Sequence, residues 1–316
     1  MKDNEYFDQS LFNKLVCAAA AVALICVIIF VIVGAVSDGS GKPEETGDDF
    51  ETYVFPDADE PVSLPVETTA EPVETTAAPE TTVAPDQSAA ETTAPAEADS
   101  GLTALPASSA ILTETPDLGQ TYIDSIIFLG DSTTYGMSAY GVLTGGKETK
   151  QVWTPQNGTL TLDQAVKKKI VFPNTGLEIT PAEAAEQALP EYLVITLGVN
   201  GISFMNEEQF ITEYTKLVKS IQTASPNTRI ILQSIFPVGS NYKNLNAINN
   251  EAITRANTWV LKVAENCGVK YLDTISVLLD SDGWLYSNYQ NGDGMHFNAE
   301  GYKAVLNYIR THGYTD

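Results

Sequence analysis

The sequence predicts an α/β domain built on a parallel sheet with helices on both faces, preceded by a membrane-spanning helix and a disordered spacer. Three observations predict it. Residues 117–316 alternate short continuous apolar runs with stretches of helical spacing. Residues 15–36 carry no charge at all. Between these regions lies a segment dense in acidic residues, Thr, Pro and Ala, with few apolar anchors.

Residues 1–14 read as a short cytoplasmic tail. Residues 15–36, LVCAAAAVALICVIIFVIVGAV, form an uncharged run about 33 Å long as a helix, enough to cross a bilayer. Lys2 and Lys14 precede it and acidic residues follow, which places the N-terminus inside and the rest of the chain outside. The run exceeds the roughly 7–15 apolar residues of a cleavable signal peptide. An uncleaved signal-anchor is therefore expected, with cleavage near Val33-Gly34-Ala35 as the alternative.

The formal net charge of −24 is unevenly spread. Residues 37–116 hold one Lys against eighteen acidic residues, whereas residues 117–316 hold fourteen Lys and Arg against twenty. Glu-Thr-Thr recurs through 37–116 between Pro and Ala. Such a segment cannot bury enough surface to offset its ordering entropy, and like charges and proline extend it. It reads as a spacer, with an adhesive or glycosylated stalk as the alternative. No basic stripe is present, so nucleic acid is not an expected partner.

In 117–316 the runs SIIFLG (125–130), YLVITLG (192–198), RIILQSIFP (229–237) and VKYLDT (269–274) read as buried strands. Helices are expected over 206–225, 249–266 and 298–313, the last capped by Asn298. Between 141 and 180, QVWTP and KIVFP suit strands, and TGLEIT suits a hairpin partner for one of them. Cys267 is expected as a buried apolar residue near a helix end. Trp259 reads as core; Trp153 and Trp284 suit either core or a sugar site. The turn DSDGW (280–284) lacks the further ligands of a calcium loop.

In an open parallel sheet, functional groups gather outside the carboxyl ends of the strands. The first strand ends at Gly130-Asp131-Ser132 and a later one at LGVNG, with Asn200 just beyond; near the C-terminus NGDGMHFN holds Asp293 and His296. Asp and His three residues apart can hydrogen-bond, which fixes the imidazole tautomer and leaves the other nitrogen free as a base. A serine hydroxyl needs such a base, and a tetrahedral intermediate needs donors aimed at its oxygen. Asn200 carries a suitable amide. Asp131 is expected to bond within its own turn and not to be catalytic. His312 stands at a helix end where a cation suits the dipole, so His296 is the candidate base.

GDSTTYG, GVN and DGMH resemble the first, third and fifth blocks of the SGNH (GDSL) hydrolase family, in the family's order. The resemblance runs from about 122 to 312. It implies a three-layer, flavodoxin-like fold and serine ester hydrolysis without a metal or organic cofactor. Ser132 would be the nucleophile and one oxyanion donor through its own N–H. Asn200 would be another donor, His296 the base and Asp293 its orienting carboxylate. Two departures stand out. The family's third block continues with Asp after Asn, where this chain has Gly201. The second-block glycine donor is indistinct: Gly158 is the first choice and Gly176 the second.

The expectation is a single-pass, cell-surface esterase. Its external placement suggests an acyl ester, for example an acetyl ester, on a carbohydrate as substrate. A lipid or small acyl ester, acyl transfer to a sugar, or a binding module without turnover are the alternatives. A chain starting near Thr115 is expected to fold and keep its activity.

Overall fold

The structure, a computed structural model, describes residues 105–314. The segment expected to span the membrane (15–36) and the spacer up to 104 lie outside the described residues. Among the described residues no helix is long and apolar enough to cross a membrane.

Five parallel strands form the central sheet: β1 (Ile126–Gly130), β2 (Val152–Trp153), β5 (Tyr192–Thr196), β6 (Arg229–Gln233) and β7 (Lys270–Leu272). Their order is β2-β1-β5-β6-β7. Among these five this is the 2-1-3-4-5 order of flavodoxin-like sheets. Strands β3 (Ile170–Phe172) and β4 (Leu177–Ile179) make a separate antiparallel hairpin, so KIVFP and TGLEIT pair with each other while QVWTP supplies β2.

Alternate strand residues face opposite layers, which is why the strands read as continuous apolar runs. Leu129, Leu193, Ile195, Ile230 and Leu232 face one core with Phe210, Tyr214, Leu217, Val260 and Trp259. These come from helices α4 (Glu207–Ala224) and α5 (Asn250–Cys267). Ile126, Phe128, Val194, Ile231 and Leu272 face the other core, with Ile123 of α1 (Gly119–Asp124), Met137 of α2 (Ser132–Ala139) and Tyr302, Val305 and Ile309 of α6 (Ala299–Thr311). The result is the expected three-layer arrangement. Trp153 is buried edge-on against Phe172, so it belongs to the core and not to a sugar platform. Cys267 is buried at the end of α5, and burial pushes its thiol pKa up.

The caps match their sequence signals. Asn206 and Gln209 form a reciprocal capping box, and Asn298 accepts from the N–H groups of Glu300 and Gly301. Helix α3 (Pro181–Ala188) is not among the elements the periodicity predicts, although Thr180-Pro-Ala-Glu183 is itself a capping box. Asp280 accepts from the N–H groups of Asp282 and Trp284, so DSDGW is a turn.

The boundary expected at 117 needs correction. Residues 110–112 run parallel to β7 and add to the sheet edge. The Leu112 N–H donates to the Tyr271 carbonyl at 2.8 Å, and the Tyr271 N–H donates to the Ala110 carbonyl at 2.8 Å. The Thr115 N–H donates to Thr311 at 2.7 Å, and Asp117 pairs with Arg310. Ala110 and Leu112 are buried. The segment therefore covers an edge that would otherwise expose unpaired backbone groups.

A chain starting at Thr115 would lack this edge segment. Burial of one Leu contributes about 1.5–3 kcal/mol, and each ladder bond about 1 kcal/mol. For a domain of this size, the melting temperature should fall by roughly 10 °C relative to a chain starting at Leu105. Equal melting temperatures by differential scanning calorimetry would show that the strand adds nothing.

Candidate active site

Strand order reverses between β1 and β5, since the chain leaves β1 toward β2 on one side and later returns to β5 on the other. That switch point opens a crevice at the carboxyl ends of the two strands. Ser132 directly follows the β1 turn, and Asn200 lies in the turn after β5.

The Gly-Asp-Ser turn is built under steric constraint. A Cβ at Gly130 would stand 2.7 Å from the Thr196 carbonyl oxygen and 2.0 Å from the Thr134 hydroxyl, so the tight entry requires glycine. Asp131 then caps α2: its Oδ1 accepts from the Thr133 N–H at 2.9 Å and the Thr133 hydroxyl at 2.7 Å. Ser132 is the first helical residue, where a backbone N–H has no intrahelical acceptor. The Tyr302 hydroxyl on α6 donates to the Thr133 carbonyl at 2.8 Å and fastens this helix from below.

His296 arrives on the loop before α6. Phe297 anchors that loop, packed against Phe236 at 4.7 Å and Tyr302 at 5.4 Å between ring centroids. Asp293 Oδ1 accepts from the N–H groups of Met295 and His296 at 2.7 and 2.8 Å. Its Oδ2 lies 2.7 Å from His296 Nδ1. On the far side of the ring, Nε2 lies 2.9 Å from the Ser132 hydroxyl oxygen. A carboxylate can only accept, so Nδ1 carries the proton and Nε2 is left to accept from the serine. Burial raises the Asp293 pKa, but the bonds from the His296 ring and from two backbone N–H groups outweigh it, and the net shift is downward. The other histidine, His312, lies against Tyr308, ring centroids 3.7 Å apart, at the end of α6.

Asn200 is held in a way the sequence does not announce. Its side-chain NH2 donates to Asp131 Oδ2 at 2.9 Å. The turn around it closes through Gly201 N–H and Ile202 N–H, both donating to the Gly198 carbonyl, at 2.8 and 3.2 Å. At Gly201, the position where the family's block has Asp, a Cβ would meet Met205 Sδ at 2.9 Å.

Gly158 stands beside the serine, where a Cβ would lie 3.5 Å from Ser132 Cβ, whereas a Cβ at Gly176 would touch nothing. Of the two glycines, Gly158 is the one the fold brings to the site. Its N–H, however, donates to the Pro155 carbonyl at 2.9 Å within its own turn. The N–H expected to face the oxyanion is thus directed elsewhere, because the φ of +71° at Gly158 closes that turn.

Asp131 is fully buried, and a small cavity beside it is lined by Leu197, Val199, Ile235, Phe236 and Met295. Burial pushes its carboxyl up to about 6, against the opposing pull of the Thr133 hydroxyl and N–H and the charge of His296. Among the described residues no group of His, Cys, Asp and Glu could hold a metal ion.

Among solved structures, a protein from Streptococcus pneumonia named for platelet activating factor is 20% identical, covering 59% of this chain and 82% of that one with a TM-score of 0.44. A GDSL-like lipase from Bacteroides thetaiotaomicron is 14% identical, with 67% and 92% covered and a TM-score of 0.42. A carbohydrate esterase family 3 protein from Talaromyces cellulolyticus is 15% identical, with 58% and 93% covered and a TM-score of 0.39. No curated protein matches. A model of the GDSL-like lipase/acylhydrolase family matches residues 128–304, a span that holds Ser132, Asn200, Asp293 and His296. That match takes in more than half of the sequence, and the chain belongs to the GDSL-like lipase/acylhydrolase family of ester hydrolases.

Proposed function

We propose that this chain is a membrane-anchored, extracellular serine esterase that removes acyl groups, acetyl first among them, from carbohydrate. The reading is carried by the hydrogen-bonded series from the Ser132 hydroxyl to His296 Nε2 at 2.9 Å and from Nδ1 to Asp293 at 2.7 Å.

The series supports a two-step acyl transfer. Ser132 Oγ attacks the ester carbonyl as His296 Nε2 takes its proton. The Ser132 N–H and the second N–H of the Asn200 amide serve the developing oxyanion. The imidazolium, steadied by the Asp293 carboxylate, returns the proton to the leaving alcohol. An acyl-serine forms, and water deacylates it with His296 again as base. Gly158 takes part by letting its turn approach the serine, and not through its own N–H.

The uncharged stretch at 15–36 and the acidic spacer support the cell-surface placement. An enzyme tethered there meets envelope and exogenous glycans first, and that placement supports the carbohydrate substrate. The full chain should release acetate from acetylated xylan or acetylated peptidoglycan. Its kcat/KM on p-nitrophenyl esters should fall by at least about tenfold between acetyl and octanoyl, the more so as one methylene alone is worth up to 10–200-fold in discrimination. Fastest turnover on the long esters, with no acetate released from either polymer, would refute the carbohydrate substrate.

A further inference from the structure

We propose that Asp131 is a positioning residue: its carboxylate fixes the Asn200 amide so that the nitrogen, and not the oxygen, serves the oxyanion. The inference rests on the reading of Asn200 as an oxyanion donor.

Capping alone does not explain this side chain. Helix α2 needs one acceptor for the Thr133 N–H, and serine or threonine caps as well as aspartate. Here a carboxylate is fully buried instead, an arrangement that is costly unless its oxygens are hydrogen-bonded. Oδ1 is occupied by the Thr133 N–H and hydroxyl. Oδ2 accepts from Asn200, sixty-nine residues away in sequence. The second oxygen therefore serves the neighbouring loop and not the helix.

The chemistry of that contact is directional. A carboxylate accepts and cannot donate, so only the NH2 of Asn200 can face it. One proton of that NH2 goes to Oδ2 and the other remains for substrate. No side chain at position 201 braces the loop from behind, since the residue there is glycine. Asparagine at 131 would reverse the pattern. Its Oδ1 can still cap Thr133, but its own NH2 would then face Asn200. The Asn200 amide would flip, presenting its carbonyl oxygen where the donor stood. An acceptor beside a developing oxyanion repels it.

The test is a double-mutant cycle on the full chain, reading kcat and KM on p-nitrophenyl acetate together with the melting temperature. The variants are Asp131→Asn, Asp131→Ser, Asn200→Ala and the pair Asp131→Asn with Asn200→Ala. Losing one oxyanion donor costs about 10²–10³-fold in kcat. Asp131→Asn is expected to lower kcat by about 10²-fold with KM within about threefold, and the pair should be no slower than the slower single variant. Asp131→Ser retains a capping hydroxyl but cannot reach Asn200, so it keeps the assay readable if the Asn variant folds poorly, and it should lose kcat likewise. Full kcat in Asp131→Ser or Asp131→Asn overturns the proposal. Losses that multiply in the pair also overturn it, because Asp131 would then act independently of Asn200. An unchanged kcat in Asn200→Ala removes the donor reading itself, a failure distinguishable from the others by that single variant alone.

Discussion

Ser132→Ala should lower kcat by at least about 10³-fold and leave the melting temperature within a few degrees of the parent. The size follows from the role: without an attacking oxygen only the donors and binding groups remain, and the residual rate is that of water attack in a preorganised site. The fold should tolerate the change for local reasons. Ser132 is the first residue of α2, its hydroxyl contacts His296 and not the core, and Asp131 supplies the cap. His296→Ala should cost as much, and combining the two should cost little more, because the residues act as a unit. A Ser132→Ala protein that keeps a tenth of the parental kcat would place the chemistry elsewhere.

Asp293→Asn is expected to lower kcat by about 10³–10⁴-fold with little change in KM. The amide oxygen can take over the bonds from the Met295 and His296 N–H groups. That leaves the amide NH2 facing His296 Nδ1, which must then accept. The ring proton moves to Nε2, and Nε2 can no longer receive the proton of Ser132. The same residue gives a pH signature in stability. The folded-state pKa of Asp293 lies below its ordinary value of 3.8. Its stabilising contribution is therefore complete above that value and lost as pH falls through the folded pKa. The stability difference between parent and Asp293→Asn should shrink as pH falls below about 4, as read by urea unfolding at each pH. A difference that holds undiminished below about pH 4 would contradict the assigned shift.

Much of this architecture is legible in the chain because a parallel sheet buries both faces. β1, β5, β6 and β7 stand out as unbroken apolar runs, and α4, α5 and α6 as stripes at helical spacing with Asn caps. Helix α3 is harder to see because its Ala-rich sequence offers a small apolar stripe, and only its capping box marks it. The edge strand at 110–112 is obscured by composition: Ala110, Ile111 and Leu112 follow directly on the Thr, Pro and Glu of the spacer, and the parallel pairing with Tyr271 spans the whole domain.

The site shows the same division. Ser132, Asp293 and His296 carry motifs, and the three-residue spacing of Asp and His already implies their contact. What no spacing reveals is the bond between Asp131 and Asn200, made by two turns that only the sheet order brings together. Nor does sequence say that the Gly158 N–H is used up by Pro155, since that depends on the closing of one turn.

The most direct measurement is to react the full chain with a fluorophosphonate and locate the adduct by peptide mass spectrometry. A nucleophile activated by His296 predicts one phosphonylated residue, Ser132, with labelling abolished in both Ser132→Ala and His296→Ala. An adduct on any other side chain, or a parent protein that turns over ester yet takes no label, would contradict the account.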